Sequence, residues 1–112
     1  MPPHPVASSI LAYPEGRAAL AAARRAGRLT PAGQRAAVED FETTWAEVLV
    51  VGVDQDLAQR AGDLADELRL RAYDAVHLAS AMALGTATTF ISWDADLSAA
   101  AHARGLAVAP AI

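Results

Sequence analysis

The stretch "RAYDAVHLASA", Arg71 to Ala81, decides how this chain is read. It has the character of a helix start. Ala75, Val76, Leu78, Ala79 and Ala81 are apolar almost all the way round, as in a helix buried on most sides. Asp74 and His77 nevertheless stand in the first turn, on one face. A carboxylate and an imidazole at the mouth of a buried helix need a reason.

Working outward, the rest of the chain alternates between strand and helix signals. Pro5 to Leu11, "PVASSIL", reads as a short buried strand. Pro14 suits the first turn of a helix running to Gly27. Thr30-Pro31 repeats the start signal, Thr as N-cap and Pro at N1, for a helix to about Glu47. Val48 to Val53, "VLVVGV", is continuous and β-branched, as expected of a strand covered on both faces. Asp54 caps a helix to about Leu68, with Leu57, Ala61, Leu64 and Leu68 on one stripe. The helix of Asp74 ends near Gly85. "TTFIS", Thr88 to Ser92, is a strand. Asp94 caps a last helix closed by Gly105, and "LAVAP" is a final strand. This alternation predicts a single domain over residues 1–112, with a mostly parallel sheet covered by helices. Val48 to Val53 and Thr88 to Ser92 are expected in one sheet.

The bulk numbers agree. The chain has 112 residues, 54% of them hydrophobic, enough for one domain with a core. It has no cysteine, which excludes a disulfide scaffold and a thiolate zinc site. Charges interrupt every apolar run, so no membrane span is expected, and a signal peptide is not recognisable at the start. These features point to a soluble, cytoplasmic protein. The net charge is −4, and all nine basic residues are arginine. Arg17, Arg24, Arg25, Arg28 and Arg35 crowd the first third, while Asp54, Asp56, Asp63, Asp66 and Glu67 crowd the middle. Two solvated faces of opposite sign, or a basic rim beside an acidic pocket, both fit this distribution.

In a parallel sheet the functional crevice lies at the carboxyl ends of the strands. Glu15 follows the first strand, Asp94 follows "TTFIS", and Asp74 opens a helix whose first turn can face the same edge. Gathered carboxylates repel each other unless a cation lies between them. Hard oxygen ligands without Cys favour Mg2+ or Mn2+ over zinc. Such a site suits in-line hydrolysis of a phosphodiester. Each acid also has an ordinary structural role: Asp94 as an N-cap, Glu15 and Asp74 as first-turn acids favoured by the helix dipole. Spacing alone leaves both readings open.

A resemblance bears on that choice. Asp74-Ala75-Val76-His77-Leu78-Ala79, then Ser92-Trp93-Asp94, then Leu97-Ser98-Ala99-Ala100, then Gly105-Leu106-Ala107-Val108 resemble the second half of a PIN domain. They are most similar to the VapC-type toxins of bacterial toxin–antitoxin pairs. "VASSILAYPEGRAAL" resembles that family's second strand and the helix bearing its second acid, which falls on Glu15. The resemblance implies an α/β/α sandwich around a parallel sheet and a divalent-metal-dependent ribonuclease that cuts single-stranded RNA. Mg2+ or Mn2+ would be held by Glu15, Asp74 and Asp94, with a cognate antitoxin protein as partner. Ser92 and His77 would support the site from behind, and Asp96 is expected to face solvent. Arg17 and Arg24 share a helix face beginning beside Glu15 and are expected to contact RNA phosphates or an acidic partner segment. Trp45 and Trp93 are read as core or edge aromatics and Met82 as core; His4 and His102 receive no role.

The family pattern opens with a strand carrying a further Asp, and then a helix, neither of which is recognisable here. Three carboxylates are therefore expected instead of four, and a gap in the sheet. Unpaired strand edges favour association between chains. The expectation is a homodimer burying the "VASSIL" and "TTFIS" edges, with little or no cleavage by these 112 residues alone. The competing functional reading is a non-catalytic PIN remnant that binds a protein partner or itself.

Overall fold

The computed structural model describes residues 6–85 and 87–110; Pro5, the first residue of the expected opening strand, and His4 lie outside them. The elements in order are β1 (Ala7–Ser9), α1 (Ala12–Arg25), α2 (Pro31–Trp45), β2 (Leu49–Val51), α3 (Gln55–Leu68), α4 (Ala72–Ala83), β3 (Thr89–Ile91), α5 (Ala95–Ala103) and β4 (Ala107–Ala109). Every expected helix and strand is present, with strands trimmed to three residues each. The chain divides into two compact units, with the boundary between Val50 and Val51.

In the first unit, α1 and α2 form a helical pair. Ser9 is buried, and its hydroxyl accepts the Leu11 N–H at 3.2 Å, satisfying one of the donors at the start of α1. Pro14 lies in the first turn, where a missing N–H costs nothing. The Thr30 hydroxyl accepts the Gly33 N–H at 2.9 Å with Pro31 at N1, as its sequence predicts. Aromatic side chains join the two helices. Tyr13 lies 5.6 Å from both Phe41 and Trp45, centroid to centroid. Gly16 makes the approach possible, because a Cβ there would stand 2.5 Å from Phe41 Cζ. The Leu49 N–H donates to the Val6 carbonyl at 2.9 Å, tying the start of β2 to the residue before β1.

The second unit holds most of the core. The stripe read on α3 is buried at Leu57, Ala61 and Leu64. It packs with Leu78, Phe90, Leu97 and Leu106. Leu78 and Ala101 are fully enclosed. The turn from α3 to α4 passes through Arg69, which adopts the left-handed conformation usually left to glycine. Gly85 and Gly105 take positive φ just beyond α4 and α5, as helix-ending residues do. Strands β3 and β4 run parallel, with Thr89 opposite Ala107 and Ile91 opposite Ala109. Between them α5 provides the crossover.

Four expectations are corrected. The described strands do not form one continuous sheet: β1 pairs with β2, and β3 with β4. Each strand has a single hydrogen-bonded neighbour, so no ladder joins β2 to β3. The β-branched run at β2 is not covered on both faces, and Leu49 and Val50 remain exposed. Trp93 is not a core or edge aromatic; it is 87% exposed. Alternation along β3 turns Phe90 inward and Ile91 outward, and the period continues through half-buried Ser92 to Trp93. Met82, read as core, is also exposed, in the last turn of α4 where the helix leaves the core. Trp45, by contrast, is half-buried among its ring partners.

Candidate active site

Asp94 is placed by the chemistry of its own turn. Its Oδ1 accepts the Leu97 N–H at 2.9 Å and so caps α5. Its own N–H donates to the Ser92 hydroxyl at 3.1 Å. The buried Ser98 hydroxyl donates back to the Ser92 carbonyl at 3.3 Å. Strand end, turn and helix start are thus locked together, with Asp94 exposed at the carboxyl end of β3. The capping role read from the sequence is real. It occupies one carboxylate oxygen and leaves the other without a hydrogen bond from a described residue.

Asp74 is the third residue of α4, whose N-cap, Arg71, gives no side-chain capping bond. The Asp74 carboxylate is half-buried, and among the described residues it makes no hydrogen bond and no ion pair. A carboxylate partly withdrawn from water without a protein partner is suited to a cation. His77, one turn further, is half-buried and is not without a partner. This suits the supporting role read for it.

Glu15 belongs to the first unit, on the exposed side of α1, and it too has a partner. Arg17 lies one turn from Tyr13. Its Nη1 donates to the Tyr13 hydroxyl at 2.8 Å and to Glu42 Oε1 at 3.3 Å. Tyr13 itself donates to Glu42. Arg24 donates to the Gln34 side chain at 3.0 Å. Both arginines therefore bridge α1 to α2 while remaining exposed. Asp96 is exposed in the first turn of α5, as expected. Among the described residues, no group of three or more His, Asp or Glu side chains gathers as a metal site. Asp74 and Asp94 both belong to the second unit, each in the opening turn of a helix. Two hard carboxylates fit Mg2+ or Mn2+, which commonly bind through one or two protein oxygens and complete their shell with water and phosphate.

Beside these acids, sequence reasoning passed over Tyr73 and Arg71 and took Trp93 for a core or edge aromatic. Tyr73 and Trp93, each directly before an acid, are 60% and 87% exposed, and Arg71 is exposed as well. The signal for Trp93 was available: it is an odd number of residues from inward-facing Phe90.

Over residues 6–103 the chain matches the family model for the PIN domain, and it belongs to that family. Among its relatives are "Ribonuclease VapC45" and "Ribonuclease VapC49", from two strains of Mycobacterium tuberculosis. Each is 49% identical over 105 residues, covering 93% of this chain and 73% of the relative. The chain is a PIN domain of the VapC type, and the α/β class read from its sequence holds. No solved structure matches it. No helix among the described residues is long and apolar enough to cross a membrane.

Proposed function

We propose that this protein is an endoribonuclease toxin that cuts single-stranded RNA with the help of Mg2+ or Mn2+ and is held in check by a cognate antitoxin protein. The observation that carries the reading is the 49% identity to two ribonucleases across 93% of the chain. The positions of Asp74 and Asp94 at two helix starts support it. An RNA substrate favours a cytoplasmic site of action.

Asp74 and Asp94 are assigned as ligands to the cation, and Glu15, by its match to the family motif, as a third. When bound, the cation supplies an activated water and neutralises charge on the phosphodiester. The protein's part is positional. Ser92 and Ser98 hold the turn that aims Asp94. Burial of Ala75, Leu78 and Ala79 fixes the helix that carries Asp74. His77 supports that helix's first turn. Arg17 and Arg24 supply positive charge for RNA phosphates, since their bonds to Glu42 and Gln34 leave further N–H groups open. The protein is also assigned as a homodimer, because strands with single partners leave backbone edges for a second copy.

A non-catalytic, self-associating module is the second reading. The apolar side chains of Leu49, Val50 and Ile91 favour it, being 48%, 44% and 69% exposed. Incubating the full chain with an unstructured RNA, with and without Mg2+ or Mn2+, separates the two. The ribonuclease reading expects metal-dependent cleavage that Asp74→Asn abolishes; it sets the identity to two ribonucleases above the expectation, drawn from the unrecognised first acid, of little or no cleavage by these 112 residues. Absence of cleavage together with a dimeric mass would leave the binding-module reading.

A further inference from the structure

We infer that Tyr73 and Trp93 are stacking platforms for RNA bases, with Arg71 holding a neighbouring phosphate; this deepens, and rests on, the ribonuclease reading. An 87% exposed tryptophan leaves a large apolar ring in water. The turn that bears it is well fixed, through the Asp94 N–H to the Ser92 hydroxyl and the Ser92 N–H to the Ala109 carbonyl at 3.2 Å. Trp93 is thus presented outward by a held backbone. Tyr73 repeats the arrangement on α4, 60% exposed directly before Asp74. Each acid of the second unit assigned to the cation is therefore preceded by an outward aromatic.

Charge favours RNA over a protein as the occupant. Arg71 and Arg69 are exposed, and neither makes an ion pair or a hydrogen bond through its side chain with a described residue. Arg104 is paired with Glu67 and Arg17 with Glu42, while Arg25, Arg28, Arg35 and Arg60 are open as well; what sets Arg71 apart is its place two residues before Tyr73. Open arginines two and four residues before Tyr73, and an open tryptophan before the other acid, match what single-stranded RNA offers, an anionic backbone with splayed π faces. Recognition by stacking tolerates any base, so this surface holds RNA at the acids without dictating sequence.

The test is equilibrium binding of a short unstructured RNA to the full chain in EDTA, where cleavage is silent, at several salt concentrations. The double variant Tyr73→Ala/Trp93→Ala, which removes two stacking contacts, should bind more weakly by about 30-fold or more. Its salt slope should match wild type, since every arginine that meets a phosphate is still in place. Tyr73→Phe/Trp93→Phe should keep most of the affinity. Arg71→Ala should instead lower the salt slope by about 1. Wild-type affinity in the double alanine variant, with RNA still bound, overturns this inference and spares the ribonuclease reading. A wild-type chain that binds no RNA overturns both. A double variant that alters the dilute-solution mass while keeping its RNA affinity overturns the inference too, and would assign the surface to a second copy of the chain.

Discussion

The Asp94 amide donates to the Ser92 hydroxyl at 3.1 Å, while the Asp94 carboxylate caps α5 at Leu97. One residue thus serves the fold and, in the proposed reaction, the chemistry. The two duties are separable, because Asn caps a helix nearly as well as Asp but is a far poorer cation ligand.

Asp94→Asn should leave thermal stability near wild type and abolish cleavage. Asp94→Ala should abolish cleavage and also cost about 0.5–2 kcal/mol of stability through loss of the cap. Denaturant melts of both variants, alongside RNA cleavage, check the separation. Equal stability of the Asn and Ala forms would remove the capping role.

Leu78 is fully buried at the centre of the second unit, on the same helix as Asp74. Leu78→Ala should destabilise the protein by about 2–5 kcal/mol, from reduced burial and the cavity left behind. Urea unfolding reads the effect directly, and a change well under about 1 kcal/mol would mean that Leu78 is not enclosed in the core.

Gly16 makes room for Phe41 between α1 and α2. The ring is held by Tyr13 and Trp45 and has little freedom to move. Gly16→Ala should therefore destabilise by about 1–3 kcal/mol despite its better helix propensity. A gain in melting temperature would show that Phe41 moves aside without cost.

Arg17 and Arg24 are exposed bridges, so their removal should affect stability little, about 0–1 kcal/mol. The double Ala variant should weaken RNA binding and reduce the salt slope by roughly 1 for each phosphate that an arginine no longer neutralises. An unchanged slope would leave these side chains only their role between α1 and α2.

The helices were legible because their punctuation is local chemistry. Thr30, Asp54 and Asp94 each accept the N–H three residues on, and Gly85 and Gly105 close their helices with positive φ. The core stripe of α3 was legible from its spacing. Sheet continuity was not, because strand order depends on partners far away in sequence, and "VLVVGV" carries no mark of which neighbours it has. The stretch "RAYDAVHLASA" singled out Asp74, the acid that the proposed function assigns to the cation, although a first-turn acid is also favoured by the helix dipole alone. It did not show that Arg71 and Tyr73 stay open to solvent. Exposure at a helix start depends on what packs over it, and periodicity does not record that.

The most direct test of the proposed ribonuclease is cleavage of an unstructured RNA by the full chain, followed over a titration of Mg2+ or Mn2+, for wild type, Asp74→Asn and Asp94→Asn. The expected result is metal-dependent endonucleolytic cleavage by wild type and none by either variant, with all three proteins equally folded by circular dichroism. Cleavage that survives both substitutions, or a folded, RNA-binding wild type that never cuts at any metal concentration, would contradict it.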